Sequence, residues 1–126
     1  MSEEECPFCE PFAADVLSQG ERVLVIRDGF PISHGHTLVA PRRHVGSFFA
    51  LTTEEQQEIL ATIVSVQDEL SHLHAPDGFN VGFNDGAAAG QTVNHCHVHV
   101  IPRYLGDVPD PRGGVRWVLP EKAKYW

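Results

Sequence analysis

The sequence has no apolar run approaching the roughly 20 residues that cross a bilayer. Its first residues, Met1-Ser-Glu-Glu-Glu-Cys6, carry acid where a signal peptide carries base and an apolar stretch. Both absences point to a cytoplasmic protein with no membrane partner. Basic residues are scarce: nine Lys and Arg stand against 17 Asp and Glu, a formal net charge of −8. Long nucleic acid is thereby disfavoured, because its affinity comes mainly from Lys and Arg neutralising phosphates. A small anion is not, since a local cluster of donors can hold one phosphate whatever the total charge. Cysteine is limited to three residues, too few for a disulfide framework. Reduced thiols suit the cytoplasm, where a Cys-x-x-Cys pair suggests metal or redox chemistry. Repeats and linkers are lacking as well, so residues 1–126 read as one domain.

Within that domain the pattern is mostly strand around one long helix. Residues 1–20 mix Cys, Pro and acid and are expected to contain a short helix. Glu21–Arg27 is β-rich and apolar in its middle, and the turn Asp28-Gly29-Phe30-Pro31 follows it. His36–Ala40 reads as a second strand, stopped by Pro41. Thr52 or Thr53 caps a helix with Glu54 and Glu55 in its first turn. Ile59, Ile63, Val66 and Leu70 give that helix one apolar face, and Pro76 ends it near His74 or Ala75. Phe79, Val81 and Phe83 alternate with Asn80, Gly82 and Asn84 as a strand should. His95–Ile101 is the last strong strand, and the tail, residues 105–126, is rich in Pro, Gly and Arg and reads as irregular. The class is α+β.

The last strand carries the chemistry. Successive side chains of a strand point to opposite faces. His95, His97 and His99 therefore share one face, and Cys96, Val98 and Val100 share the other. Three readings compete: a solvated face that happens to hold histidines, a metal site of all three, and phosphoryl chemistry with one histidine as nucleophile. The preceding loop favours the third. Gly86 to Gly90 allows close backbone approach, and Gln91 and Thr92 supply uncharged donors that phosphate oxygens need.

The run Gly90-Gln-Thr-Val-Asn-His-Cys-His-Val-His-Val-Ile-Pro-Arg103 resembles the motif of the histidine-triad (HIT) family of nucleotide hydrolases and transferases. Asn84-Asp-Gly, Asp28, and Gly35-His36-Thr37-Leu-Val-Ala-Pro41 resemble further family segments, so the likeness covers at least residues 6–104. It implies a HIT-like fold: an antiparallel sheet of about five strands, one long helix and a short N-terminal helix. It also implies that His97 attacks the α-phosphorus to form a nucleotidyl-histidine, which water releases as a nucleoside monophosphate. A backbone carbonyl would fix the tautomer of the attacking ring. His99, Gln91 and Thr92 would bond phosphate oxygens, His95 would complete the triad, and His36 would orient it from behind. Asp28 would meet ribose hydroxyls, Asn84 a phosphate or ribose, and Arg103 the polyphosphate. Asn84 could equally be a turn residue beside Asp-Gly. Phe8 or Ile26 could sandwich a base.

Cys6-Pro-Phe-Cys9 has zinc-knuckle spacing. The alternatives are a redox pair, which lacks a thioredoxin-like βαβ context, and two thiols in a frayed terminus. Relatives in the wider HIT group, including galactose-1-phosphate uridylyltransferases, complete such a site with two histidines. By that resemblance the ligands are Cys6, Cys9, His44 and His95, and the zinc is structural because its shell is full. Cys96, on the apolar face, reads as a core residue.

The resemblance further implies a homodimer through the long helix, whose apolar face could equally cover its own sheet. Arg103, Arg112 and Arg116 suit phosphate recognition, and the tail either helps to set leaving-group preference or is a surface segment held by Asp–Arg pairs. The leading activity is hydrolysis of a dinucleoside polyphosphate such as diadenosine tetraphosphate. Phosphoramidate hydrolysis, phosphorolytic transfer and a nucleotide-binding regulator are the alternatives. A pure zinc module leaves His97, His99 and the Gln91 loop unexplained.

Overall fold

The computed structural model describes residues 5–126, so Met1 to Glu4 of the segment expected to bind zinc lie outside the described residues. Five strands form one antiparallel sheet: β1 (Val16–Gln19), β2 (Val23–Arg27), β3 (Thr37–Pro41), β4 (Gly78–Gly82) and β5 (Val98–Arg103). The order across the sheet is β1-β2-β3-β5-β4, which sets the motif strand β5 between β3 and the edge strand β4. The single long helix, α1 (Thr53–His74), lies over one face.

The helix starts where its cap requires. The Thr52 hydroxyl accepts from the Glu55 N–H and the Glu55 carboxylate accepts from the Thr52 N–H, a reciprocal capping box. Its buried stripe of Ile59, Val66 and Leu70 packs on Val39, Val98 and Val100 from the sheet and on Cys96 just before β5. Ala75 ends the helix in the left-handed region at φ 46°, just before Pro76.

The opposite face of the sheet is covered as well. Cys6 and Phe8 pack there against Leu24, Ile26, Leu38 and Ala40. That cover explains why Val23 to Ile26 and Thr37 to Pro41 are buried without alternation. The N-terminal segment is thus a second layer of the core, closed at its start by the Glu10 N–H on the Cys6 carbonyl.

Four sequence expectations are corrected. Among the described residues the short N-terminal helix is replaced by 3₁₀ structure, chiefly the turn Ala13–Asp15, followed by β1. The second strand is not stopped after Ala40 by Pro41: Pro41 is the last residue of β3, paired with Val23. The motif strand begins at Val98 and not at His95, because the backbone before it is bonded elsewhere. His95 N–H goes to the Val93 carbonyl and Cys96 N–H to the Val45 carbonyl, so neither joins the ladder. The tail is not wholly irregular: it holds 3₁₀ segments at Gly114–Val118 and Pro120–Lys122.

Candidate active site

The alternation expected of the motif survives at its functional end. Val98 and Val100 are buried under α1, while His99 lies on the other face and His97 just before it. The His97 ring is stacked on Phe8, with centroids 4.8 Å apart and planes at 23°. Its Nδ1 lies 2.8 Å from the His95 carbonyl oxygen. A carbonyl can only accept, so Nδ1 carries the proton and Nε2 keeps a bare lone pair. This is the state a nucleophilic imidazole requires.

His99 is held in the complementary state. The Ile32 backbone N–H donates to His36 Nδ1 at 3.2 Å, so the proton of a neutral His36 sits on Nε2. That Nε2–H donates to His99 Nδ1 at 2.9 Å, which leaves the proton of His99 on its own Nε2. Burial lowers the pKa of both rings, and Asp28 opposes that shift. His97 and His36 lower His99 further. Both are neutral at pH 7. One ring of the motif thus offers a lone pair and its neighbour an N–H.

Asp28 completes the cluster. Its Oδ1 accepts from the Phe30 N–H at 2.7 Å, and its Oδ2 lies 3.4 Å from His36 Nε2 and 3.9 Å from His99 Nδ1. Asp28, His36 and His99 together have the composition of a metal site. Their hydrogen bonds do not fit one. A cation would need a bare Nε2 on His36, hence a proton on Nδ1, where it would meet the Ile32 N–H head on.

Cys6, Cys9, His44 and His95 do fit a metal. Their ligand atoms all lie within 4.8 Å of one another. His95 Nδ1 is 3.3 Å from Cys6 Sγ and 3.2 Å from His44 Nδ1, and Cys9 Sγ is 3.2 Å from His44 Nδ1. A tetrahedral zinc with ordinary bond lengths would set two nitrogens about 3.3 Å apart and a sulfur and a nitrogen about 3.6 Å apart. His95 Nε2 donates to the Pro41 carbonyl at 2.7 Å, so its Nδ1 faces the cluster as a lone pair. The third thiol differs in kind. Burial, with Asp85 and Glu55 nearby, pushes Cys96 up to about 11, and it packs in the core as a thiol.

His95 is consequently not a substrate group. The ring is fully buried with both nitrogens engaged, and the residue meets His97 through its carbonyl. Two more expectations change. Gln91 braces its own loop: Oε1 accepts from the Gly86 N–H, and Nε2 donates to the Gly46 and Val93 carbonyls. Arg103 is six residues beyond His97, about 20 Å along an extended chain. There it forms a two-pronged ion pair with Asp107 and bonds the Asn80 amide oxygen. The polar atoms of both side chains are engaged by these protein partners. Asn84 is exposed in the connection after β4.

A cleft of about 570 Å³ opens beside His97, with Phe8, Ile26, Asp28, Leu38 and Thr92 among its walls. Glu5, Glu10 and Asp15 add acidic side chains to its lining. Another cleft, of about 420 Å³, lies between α1 and the sheet and does not include His97 or His99. Sequence reasoning missed the Ile32 N–H altogether, since a backbone donor leaves no mark in composition. Of the two side chains offered for a base, Phe8 and Ile26, the Phe8 ring packs on His97 and His95.

Residues 12–106 match the HIT domain, and the chain belongs to the HIT family. The family places the protein among the nucleotide hydrolases and transferases. An uncharacterised HIT-like protein of Methanocaldococcus jannaschii is 38% identical over 106 residues, covering 81% of each chain. AP-4-A phosphorylase of Mycobacterium tuberculosis is 37% identical over 73% of this chain and 48% of its own. The asymmetrical bis(5'-nucleosyl)-tetraphosphatase of Schizosaccharomyces pombe is 40% identical over 61% of this chain and 42% of its own. A HIT family protein from Bacillus anthracis superposes with a TM-score of 0.77 at 34% identity, covering 84% of this chain and 78% of that one. A Zn-bound histidine triad family protein from Mycobacterium smegmatis gives 0.74 at 34% identity, covering 86% of both.

Proposed function

We propose that the protein cleaves a dinucleoside polyphosphate, such as diadenosine tetraphosphate, at the α-phosphorus through a covalent intermediate on His97. The observation that carries this reading is the pair of opposite tautomers, a bare Nε2 on His97 beside an N–H on His99. Nε2 of His97 attacks phosphorus, and the bond to the departing polyphosphate oxygen breaks. The ring becomes cationic, and its Nδ1–H stays on the His95 carbonyl, which tolerates the charge. The His99 Nε2–H and the Thr92 hydroxyl donate to oxygens whose charge grows in the transition state. Water then attacks the nucleotidyl-histidine, gives up a proton, and releases a nucleoside monophosphate with His97 neutral again.

The cleft orients the substrate by charge. Polyphosphate is repelled by Glu5, Glu10 and Asp15, so the phosphates lie at the histidine end and the base lies toward Ile26 and Leu38. Asp28 sits between, where ribose hydroxyls would reach it. The relatives named for tetraphosphate cleavage and for AP-4-A phosphorolysis support the substrate class and differ in the attacking species. The four-ligand cluster is read as a structural zinc site, as the Zn-bound relative supports. Bound there, zinc would fix Cys6, Cys9, His44 and His95 and, with no open position, supply no Lewis acid to the substrate. Such thiolate ligands persist in a reducing compartment such as the cytoplasm. Leu60 and Val64, exposed on the outer side of α1, support a homodimer.

The test is product analysis with diadenosine tetraphosphate and an adenosine phosphoramidate, using wild type and His97→Ala. Hydrolysis yields AMP and ATP from the first substrate; in phosphate buffer, phosphorolysis yields ADP and ATP. His97→Ala should lower turnover roughly 10³-fold or more while still binding nucleotide. Turnover of the phosphoramidate alone moves the protein to that substrate class. Near-normal activity in the variant overturns His97 as nucleophile.

A further inference from the structure

We infer that Tyr104 and Gly35 are positioning residues that set the tautomers of His36 and His99 from outside the cleft. The inference rests on the reading of His99 as a phosphate donor. Both residues act on the connection between β2 and β3, which carries the Ile32 N–H.

Nothing in the Ile32 side chain fixes that amide, for the side chain is 74% exposed. Its position is set by the turn it belongs to. The His36 N–H closes the turn on the Ser33 carbonyl at 3.2 Å. The Tyr104 hydroxyl, just past β5, donates to the His34 carbonyl at 2.6 Å. The His34 ring meets the His74 ring edge-on, with centroids 4.2 Å apart. Gly35 has φ 95°, and a Cβ there would lie 2.9 Å from His74 Cδ2, 3.2 Å from Leu70 Cδ2 and 3.3 Å from Pro102 Cγ. The turn is therefore pressed on the end of α1 and on β5 with no room for a methyl group. None of these contacts touches the cleft beside His97.

The consequence follows from proton counting. With Ile32 N–H on His36 Nδ1, the His36 proton must sit on Nε2, and His99 must keep its own on Nε2. Once the amide moves away, His36 can hold its proton on Nδ1. Its Nε2 then faces His99 Nδ1 as a lone pair, so the His99 proton shifts to Nδ1 as well. Each ring keeps one proton, and the charge is unchanged. The N–H that His99 turned to the substrate is gone.

The experiment is ¹⁵N NMR of the histidine rings in the full-length, zinc-supplemented protein at neutral pH, for wild type, Tyr104→Phe and Gly35→Ala. Wild type should show Nε2–H forms for His36 and His99. The variants should show Nδ1–H forms appearing in both rings together, with kcat on diadenosine tetraphosphate reduced several-fold. Should Gly35→Ala fail to fold, Tyr104→Phe, which removes one hydroxyl from a partly exposed ring, decides alone. Rings that stay Nε2–H in a folded variant overturn the inference, even if kcat falls. So does a wild type already holding Nδ1–H. The spectra need no substrate. A wild type that cleaves no nucleotide therefore retires the functional reading and leaves the tautomer result standing.

Discussion

His36 and His99 share one hydrogen bond, 2.9 Å from Nε2 to Nδ1, whose direction is dictated by a backbone N–H on the far side of His36. The pair of contacts, Ile32 N–H to His36 and His36 to His99, exists only while both rings are neutral. A protonated His36 would carry hydrogen on Nδ1 against the Ile32 N–H. A protonated His99 would carry it on Nδ1 against the His36 N–H.

That arrangement predicts an acidic limb. Burial lowers both pKa values, and Asp28 does not fully offset it. On acidification the unfolded chain therefore takes up protons before the folded one. The stability due to this pair is complete above the ordinary imidazole value, about 6.5, and is lost as pH falls through the lowered values. Turnover should be flat near neutrality and fall on the acid side, with the urea midpoint falling in the same window. In Asp28→Asn the opposing charge is gone, so the activity limb should move to lower pH. A limb that stays in place would show that Asp28 does not face these rings.

The helix cap can be tested apart from the site. Glu55 is held at about 2, first by the Arg43 guanidinium, then by the Thr52 N–H, against the opposing effect of burial. Thr52→Ala should cost about 1 kcal/mol, read as a shifted urea midpoint at unchanged slope. Glu55→Gln should cost about 2 kcal/mol at neutral pH, less whatever solvent screens at the half-exposed Arg43. Because the depressed pKa stabilises the fold above the ordinary carboxylate range, the gap between Glu55→Gln and wild type should close as pH falls toward 2.

These two predictions differ in how far the sequence foretells them. The cap is legible because Thr52 and Glu55 have the right spacing before an apolar stripe. His97 and His99 are legible because alternation with Val98 and Val100 separates chemistry from core. The first strand is not, since Val16–Gln19 is a short, largely exposed edge with a register shift and no period. Gln91 and Arg103 carry the right chemistry for phosphate. Their partners at Gly86, Gly46 and Asp107 exist only after folding. Ile32 is the extreme case, because it acts through an amide that every residue but proline possesses.

The metal cluster should control the nucleophile through structure. His95 belongs to the cluster by its ring and to His97 by its carbonyl, and Phe8, between the two cysteines, stacks on His97. Metal analysis should find one zinc per chain. Stripping it with a chelator, or Cys9→Ser, should lower the thermal midpoint and turnover together, since structural zinc contributes about 10–16 kcal/mol in small domains. Loss of zinc with midpoint and activity both intact would separate the knuckle from the site.

The tail offers the last test, which decides between the two readings of it. Arg116 donates to the carbonyls of Ala123 and Lys122, and Ala123 is fully buried. The Arg112 guanidinium lies 4.5 Å over the Trp126 ring, while Trp117 Nε1 donates to the Arg112 carbonyl. These contacts fold the tail on itself, and the Arg112–Asp110 and Arg103–Asp107 pairs expected of a surface segment are present beside them. Gly114 and Val115 from it wall a cleft of about 480 Å³ with Ile32, Ile101 and Arg103. Ile101 is two residues beyond His99 on the same face of β5, so this cleft lies farther along the strand from the histidines. Removing residues 111–126, or placing a charge in the wall with Val115→Asp, should change kcat/KM unequally for substrates that share an adenylate but differ in leaving group. A several-fold change in that ratio, with AMP binding unchanged, assigns the tail to leaving-group choice. An equal effect on every substrate makes it a structural cover of β4 and β5.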